Sequence, residues 1–487
     1  MNISDLEPSG LWRNFANLNA VPRPSKKEER IIQFMKSFGE GLGLDTVVDH
    51  IGNVIISKPG SKGMENRKGI VLQGHLDMVH QKNSGTDFNF DQDGIKMKIN
   101  NDWVMAEGTT LGADNGIGVA AIMAILESQE IIHPPIEALF TIDEETGMTG
   151  ANELKEGVLK GDIMLNLDTE DDRELTIGCA GGIDVNISGT YSENTVPAQC
   201  DKCLELKVSG LTGGHSGMDI ILGRANANKL MNRILFQLLT DNLVALISID
   251  GGGLRNAIPR ESTSKFAFKS SHSGEVNDRI RATVDEIKIE FAITDPELKV
   301  ELIDSVVDAT CIEASFAKNL VHSLYACLSG IYRMSPDIEN LVQTSNNLAR
   351  VFVKDGKYNI QCLTRSAIDS EKMDLANSLK ATFNLIGAKV TFSGSYPGWK
   401  PQPDAGIVKL MEEIYRLKFK GEPLVNACHA GLECGILGKN YPNMEMISFG
   451  PNIRGAHSPD EKVQITSVQK FWSLLLDTLE QIPAARS

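Results

Sequence analysis

The stretch that decides the fold is GIVLQGHLD, residues 69–77, a short apolar run that ends in an imidazole and a carboxyl group. Such a run is typical of a β-strand that is buried on both faces, as in a parallel sheet. His75 and Asp77 lie two positions apart, so in an extended chain their side chains point to the same face. His75 could therefore bind a metal while Asp77 orients the ring. For this segment alone, a hydrogen-bonded core histidine beside a surface acid is the alternative.

Similar runs lie on both sides of this stretch. From about residue 28 to 185, β-rich apolar runs alternate with helical stretches, a pattern that predicts an α/β fold with a mixed, mostly parallel sheet. The predicted strands are Thr46–Ser57, Gly69–Val79, Ile136–Ile142 and Asp162–Leu167. Each ends in polar, mostly acidic residues. Because open α/β sheets bind ligands beyond the carboxyl ends of their strands, we expect a polar pocket at that edge.

Two strands end in acids that suggest metal chemistry. Glu144 and Glu145 follow the third strand, and adjacent carboxylates repel each other unless cations or protons offset the charge. In metal-dependent hydrolysis, one such carboxylate binds the metal while its neighbour takes a proton from water. A solvated acidic turn is the alternative. Asp168 ends the fourth strand.

Two further candidates lie outside the strands. Asp114 stands in a turn before the apolar helix predicted at 117–126, where an aspartate is most often a helix cap. His457 lies in the loop GPNIRGAHSP, residues 450–459. Each is a weak signal alone. Taken together, two histidines and three acids offer enough ligands for two zinc ions that share one carboxylate.

The middle of the chain has a different order of elements. Its predicted elements are a strand at 204–210, a helix at 225–239, strands at 244–250 and 261–269, a helix at 275–291 and a strand at 298–303. This βαββαβ order predicts a ferredoxin-like unit, and a looser second copy follows up to about residue 393. We therefore expect a catalytic domain split into 1–185 and 397–487 around an inserted lid domain at 186–396, with a closing amphipathic helix near 465–479.

Composition excludes several classes of partner. The chain of 487 residues carries 64 acidic and 48 basic residues, a net charge of −16 that would repel nucleic acid and anionic membranes. The start MNISDLEPSGLWRNF lacks the basic and apolar regions of a secretory signal, and the longest apolar run is about half of the roughly 20 residues that a membrane span needs. We expect a cytoplasmic protein whose eight scattered cysteines are reduced thiols.

The spaced motifs extend over nearly the whole chain. They are GHLDMV, GADNG, DEETG, NLD, GGHSG, LRNAIP and GAHSPDE. In this order they resemble the co-catalytic zinc hydrolases of the aminoacylase, carboxypeptidase and dipeptidase family. The longer motifs TTLGADNG, CAGGIDV, GLRNAIPRE and HAGLECG are also in the order of this family, and HAGLE is characteristic of its dipeptidase branch. The resemblance implies a zinc-exopeptidase-like catalytic domain with an inserted lid, and hydrolysis of Xaa-His and carnosine-like dipeptides.

The resemblance also implies a ligand set for two zinc ions, with cobalt or manganese as possible substitutes. The five implied ligands are His75, Asp114, Glu145, Asp168 and His457. Asp114 would bridge the ions and precede a cis peptide bond. His75 and Asp168 would complete the ligand set of one ion, and Glu145 and His457 would complete that of the other.

By the same resemblance, three residues would act in catalysis. Asp77 would orient His75, Glu144 would be the general base, and His215 of GGHSG would stabilise the oxyanion. The resemblance also implies that the lid domain could form a homodimer.

Three residues of the resemblance would bind the substrate. Arg365 would pair with its carboxylate, since an arginine offers a bidentate fork, and Asn256 would help to hold it. His429 of HAGLECG is expected near the substrate, without an assigned role. The same metal site acting on N-acyl amino acids, as in an aminoacylase or deacetylase, is the nearest alternative. A non-catalytic scaffold on the same fold is a remote one.

Overall fold

The computed structural model describes residues 2–485, which form two compact units. The first unit contains the described residues up to Cys179, the segment Trp399–Ala427 and the described residues from Leu432 on. The second contains Ala180–Gly398 and Cys428–Gly431. Within residues 2–485, no helix is both long and apolar enough to cross a membrane.

An eight-stranded mixed sheet forms the centre of the first unit, which confirms the expected fold class. Its strands, in spatial order, are Asp45–Val48, Val54–Lys58, Ile136–Thr141, Ile70–His75, Ile163–Asn166, Glu445–Ser448, Glu174–Cys179 and Leu424–Cys428. The four central strands, from Ile136–Thr141 to Glu445–Ser448, pair in parallel. The quoted stretch lies between two of them, and each residue of Ile70–His75 is buried.

One predicted strand is two strands in the structure. The run predicted at 46–57 forms an antiparallel hairpin of Asp45–Val48 and Val54–Lys58. Asp49 makes the turn, since its Oδ1 accepts hydrogen bonds from the backbone N–H groups of Ile51, Gly52 and Asn53. Because both arms of the hairpin contain apolar residues, the pattern of hydrophobicity alone did not reveal this turn.

Helices cover the first sheet. They are Ser9–Asn19, Glu29–Gly41, Ala113–Glu127, Glu144–Gly147, Thr149–Glu153, Gly406–Phe419, Glu433–Asn440 and Ile465–Gln481, with a 3-10 turn at Ile3–Asp5. The helix Ala113–Glu127 is buried along most of its length, as its apolar sequence predicts. The closing helix Ile465–Gln481 confirms the amphipathic pattern. A separate four-stranded sheet contains Met97–Asn100, Trp103–Ala106, Ile453–Arg454 and Lys462–Gln464.

The second unit contains a nine-stranded antiparallel sheet. The strands of its main path, in spatial order, are Lys299–Ser305, Lys202–Ser209, Ser262–Phe268, Ala245–Gly252, Val342–Lys354, Lys357–Ser366, Gly181–Thr190 and Lys389–Tyr396. Gly330–Met334 pairs off this path, and Glu193–Thr195 pairs with Thr310–Ile312. The helices are Ala227–Thr240, Ser273–Glu290, Ala314–Ala326 and Asp369–Asn384, with 3-10 turns at Ile220–Leu222 and Ser270–His272.

Two βαββαβ units make up this sheet. In each, the first strand lies between the third and the fourth, which is the ferredoxin-like order. The two units join through their second strands, where Ile249 pairs with Val353. The looser second copy predicted from the sequence is therefore present, and its first strand is Gly181–Thr190.

Sequence analysis did not predict the strand Gly181–Thr190. Its alternating Ile183, Val185 and Ile187 are buried, but glycines at its start weaken the strand signal. Those glycines have a packing reason. A Cβ at Gly181 would lie 2.5 Å from Gly398 N and 2.6 Å from the Tyr396 carbonyl oxygen, so only glycine admits the backbone that passes there.

Replacing Gly181 with alanine should therefore destabilise the protein by about 1 to 3 kcal/mol, the typical cost of overpacking. The contacts that the new Cβ would meet are backbone atoms, which cannot rotate away. Gly253→Ala is the matched control, because a Cβ there meets nothing within 4 Å. Calorimetry should show a lower melting temperature for Gly181→Ala only. Equal melting temperatures of the two variants would contradict this account of the strand.

Candidate active site

The central strands of the first unit bring three of the five predicted metal ligands to one edge of the sheet. Ile70–His75 pairs in parallel with Ile136–Thr141 and with Ile163–Asn166, so the carboxyl ends of all three strands meet at one edge. His75 ends the first of these strands. Glu145 and Asp168 lie just after the other two.

Asp114 lies at the centre of this group, because its two carboxylate oxygens face different histidines. Oδ1 is 3.0 Å from His75 Nε2, and Oδ2 is 3.2 Å from His457 Nε2. Each histidine also faces a second acid. His75 Nε2 is 3.5 Å from Asp168 Oδ1, and His457 Nε2 is 3.1 Å from Glu145 Oε2. The result is two ligand groups that share one carboxylate. The Asp114–Asn115 peptide bond is cis, as the resemblance implied.

The chemistry of these side chains fits a bound divalent cation. His75, Asp114 and Glu145 place one ligand atom each within 4.8 Å of one another. Glu145 Oε1 and Asp168 Oδ1 are buried, and no described residue donates a hydrogen bond to them. A buried carboxylate oxygen without a donor is costly unless a cation approaches it. Imidazole nitrogen and carboxylate oxygen are also the ligands of zinc and similar metals.

The charges of these side chains also favour a bound cation. Burial alone would lower the pKa of His75, but the negative charge of Asp168 and the hydrogen bond with Asp114 raise it well above its ordinary value. Hydrogen bonds with Asp114 and Glu145 raise the pKa of His457 to about 11. Burial raises the pKa of Asp168 to about 6. The acids thus favour positive charge on the rings, and metal ions can supply that charge in place of protons.

Asp77 performs two tasks at this edge of the sheet. Its Oδ1 lies 3.4 Å from His75 Nδ1, on the far side of the ring from Asp114. Its oxygens also accept hydrogen bonds from the backbone N–H groups of Glu144, at 3.0 Å, and Glu145, at 3.3 Å. Ser25 Oγ donates to it as well, at 2.8 Å. Asp77 therefore fixes both the imidazole and the turn that carries the paired glutamates.

Glu144 stands apart from the ligand groups, although it is next to Glu145 in the chain. It begins the short helix Glu144–Gly147, after Asp143 in the left-handed region with φ 52°. Burial raises the pKa of Glu144 well above its ordinary value, and the negative charges of Asp168 and Glu433 add to the effect. A carboxyl group in this environment can accept a proton and hold it near neutral pH.

Sequence analysis assigned no role to Glu433 of HAGLECG. The carboxyl group is buried in the first unit, where Oε2 accepts hydrogen bonds from Gln73 Nε2 at 2.6 Å and Thr141 Oγ1 at 2.7 Å. Gln73 in turn accepts a hydrogen bond from Asn166. Burial raises the pKa of Glu433 to about 7. This polar network links three strands just before the ends that carry the ligand groups.

Within the second unit, three predicted residues form another cluster. A Cβ at Gly217 would lie 3.0 Å from His215 Cε1 and 3.2 Å from Arg365 Nε, and it would clash with the carbonyl oxygen of His429. Asn256 is exposed, and its carbonyl oxygen accepts a hydrogen bond from Ser216 N. The structure thus brings His215, Arg365 and His429 together, and it ties the backbone of Asn256 to the same loop.

The histidines of this cluster are neutral. Burial and the charge of Arg365 lower the pKa of His215, and they lower that of His429 to about 3. Nδ1 of His215 accepts hydrogen bonds from the backbone N–H groups of Gly217 and Met218, so its proton lies on Nε2. Ser345 Oγ contacts His429 Nε2 at 2.7 Å.

Arg365 is the only charged member of this cluster. The side chain is 5% exposed and donates to Tyr396 Oη at 2.8 Å. Its Nε has no hydrogen-bond partner among residues 2–485. A buried guanidinium with an unused donor fits a carboxylate ligand.

Comparison with known proteins agrees with this geometry. The chain belongs to peptidase family M20/M25/M40, whose model matches residues 71–481. This is a family of metal-dependent peptidases, so the expected class of hydrolase is confirmed. The cytosol non-specific dipeptidase of Escherichia coli strain K12 is 41% identical over 483 residues, which are 99% of this chain and 99% of that protein.

Solved structures show the same relationship. Aminoacylhistidine dipeptidase from Vibrio alginolyticus has a TM-score of 0.95 and 42% identity, covering 100% of this chain and 99% of that one. Aminopeptidase PepT from Bacillus cereus has a TM-score of 0.57 and 15% identity, covering 98% and 99%. The second similarity concerns the fold alone.

The two adjacent glutamates should respond differently to neutralisation. Glu145→Gln should weaken metal binding by at least roughly 10- to 100-fold, which is the usual cost of losing an outer-shell partner. The substitution removes a negative charge that faces His457. Glu144→Gln, the matched control, should keep the metal content of the unmodified protein. Metal analysis after dialysis measures both. Loss of metal from Glu144→Gln alone would show that the pair is assigned the wrong way round.

Proposed function

We propose that this chain is a dipeptidase that binds two zinc ions. His75 and Asp168 would hold one ion, Glu145 and His457 the other, and Asp114 both. The observation that carries the proposal is the position of Asp114, whose two oxygens face two histidines that each have a second acid. Cobalt or manganese would fit the same ligand types, since affinity and availability together select the metal.

Zinc ions bound there would supply Lewis acidity, which lowers the pKa of water and polarises a carbonyl group. The protein's own part is proton transfer. Glu144 would take the proton of the attacking water and return it to the leaving amine. Its raised pKa supports this role, because the carboxyl group can hold the proton between the two steps. Nearby cations would lower that pKa, so Glu144 would be ionised when the reaction begins. Asp77 would keep His75 in its orientation.

The cluster of the second unit would bind the substrate. Arg365 would pair with the carboxylate of the second residue through its unused donor. His215 would stabilise the oxyanion, because its Nε2 carries the proton while Nδ1 accepts backbone hydrogen bonds. Asn256 and His429 would help to hold the peptide. His429 stays neutral in this role, since burial disfavours its charged form.

We propose dipeptides, including Xaa-His and carnosine-like ones, as substrates. Support comes from the names of the two whole-chain relatives, a non-specific dipeptidase and an aminoacylhistidine dipeptidase. The name of the Escherichia coli relative also supports the cytoplasm as the location. A homodimer through the second unit stays a prediction.

A metal-exchange experiment tests the proposed function. The protein is treated with a chelator, dialysed and titrated with zinc, while hydrolysis of a panel of dipeptides and N-acetyl amino acids is followed. We expect turnover of dipeptides to vanish and to return at about two zinc ions per chain, because the ligand groups are complete only with metal. Full activity of metal-free protein would contradict the metal mechanism. A preference for N-acetyl amino acids would indicate an aminoacylase instead.

Replacing Arg365 with methionine tests the proposed carboxylate contact. The variant should lose roughly 2 to 5 kcal/mol of transition-state binding, the usual cost of breaking a buried charge-assisted pair. A C-terminally amidated dipeptide should lose a similar amount on the unmodified enzyme, and the two losses should not add, since both remove one interaction. The measurement is kcat/KM for each combination of enzyme and substrate.

Arg350→Met is the matched control for this cycle. Arg350 lies in the neighbouring strand and pairs with Asp250 at the surface, so its loss should change kcat/KM little. Fully additive losses for Arg365→Met and the amide would show that Arg365 binds something other than the substrate carboxylate.

A further inference from the structure

The turn that precedes Asp114 is held by a buried glutamate. Oε2 of Glu461 accepts hydrogen bonds from the backbone N–H groups of Leu111 at 2.7 Å and Gly112 at 2.9 Å. Oε1 accepts from those of Ala113 at 2.7 Å and Asp114 at 3.3 Å. Glu461 is 2% exposed. One carboxyl group therefore binds four consecutive N–H groups, including those that begin the helix Ala113–Glu127.

A buried arginine holds the same turn from the other side. Arg23 Nη2 donates to the carbonyl oxygen of Gly112 at 2.6 Å. Its Nη1 donates to the carbonyl oxygens of Leu76, at 3.0 Å, and Asp77, at 3.1 Å. Arg23 is 1% exposed and therefore connects the backbone after His75 with the turn before Asp114.

Gly112 is the point where both contacts meet. The residue adopts φ 70°, which favours glycine, and a Cβ there would lie 2.5 Å from Arg23 Nη2. The backbone N–H of Gly112 donates to Glu461, and its carbonyl oxygen accepts from Arg23. The conformation of the turn is thus fixed by two opposite charges.

Charge favours this arrangement. Burial raises the pKa of Glu461, but all four of its contacts are with N–H donors, which bind the ionised carboxylate. Burial lowers the pKa of Arg23 to about 10, so its guanidinium stays charged, and the negative charge of Glu461 is the largest effect that opposes this lowering.

We propose that Glu461 and Arg23 are positioning residues of the metal centre, which hold the backbone of Asp114 so that each carboxylate oxygen faces one histidine. Glu461 also follows His457 by four residues, so it ties the loop of one ligand to the turn of another. This inference rests on the proposed function. Within residues 2–485, neither side chain hydrogen-bonds to the side chain of a proposed ligand, and both act through the backbone.

The test is zinc affinity, measured by calorimetry on full-length metal-free protein. Glu461→Gln should bind zinc about 10- to 100-fold more weakly, as for other outer-shell partners, because the amide nitrogen cannot accept the two N–H groups that a carboxylate oxygen accepts. The visible absorption bands of cobalt-loaded Glu461→Gln should also change, which a loss of stability alone would not cause. Asp460→Asn is the matched control, an exposed acid in the same loop that should leave affinity and spectrum unchanged.

A second measurement needs no variant. In metal-free wild-type protein, hydrogen exchange should show slow exchange of the backbone N–H groups of residues 111–114 before zinc is added. Fast exchange that slows only with zinc would overturn the proposal, because the metal would then order the turn. Equal zinc affinity of Glu461→Gln and wild type would overturn it too. Wild-type protein that binds no zinc would instead refute the proposed function.

Discussion

The concentration of negative charge at the ends of three parallel strands is the constraint on which the first unit depends. Glu145 and Asp168 follow two of these strands, and Asp114 lies beside them. Glu145 Oε1 and Asp168 Oδ1 are buried and have no hydrogen-bond donor among residues 2–485. Carboxylates so close are stable only with positive charge among them. The two imidazoles offset part of this negative charge, and the acids raise the pKa values of both rings. The negative charge of these side chains therefore favours a bound cation even without a substrate.

The surrounding structure keeps these acids in place. Asp77 fixes His75 and the turn of the paired glutamates, while the network around Glu433 joins the strands behind them. Arg23 and Glu461 fix the turn before Asp114. Asp77, Arg23 and Glu461 bind backbone groups beside the candidate ligands, so the chain itself helps to position them. Preorganisation of this kind lowers the cost of assembling a metal site.

Part of this arrangement was predictable from the sequence. The apolar run at 69–77 identified a central strand, and the spacing of His75 and Asp77 placed both on one face. Asp114 could not be assigned from position, because a helix cap and a bridging ligand occupy the same kind of turn. Its assignment needed the resemblance. The geometry shows why both interpretations arise, since Asp114 has extended backbone angles (φ −80°, ψ 110°) just before the regular part of the helix Ala113–Glu127. Arg23 gave no signal, because a buried arginine that binds carbonyl groups resembles a surface arginine in sequence.

In the second unit, too, sequence patterns predicted only part of the structure. Regular alternation predicted most of its strands and helices, yet Gly181–Thr190 was missed because close packing against the segment near Tyr396 requires glycines where a strand signal would need side chains. The cluster of Arg365 with two neutral histidines likewise depends on contacts between distant segments, which no spacing reveals.

The central claim is that Asp114 is shared by two metal ions. Diffraction data from zinc-grown crystals, collected on both sides of the zinc absorption edge, test it most directly. The account predicts two anomalous peaks per chain, each about 2.0 to 2.2 Å from one oxygen of Asp114. One peak should lie beside His75 and Asp168, and the other beside Glu145 and His457. A single peak, or two peaks of which only one contacts Asp114, would contradict the account.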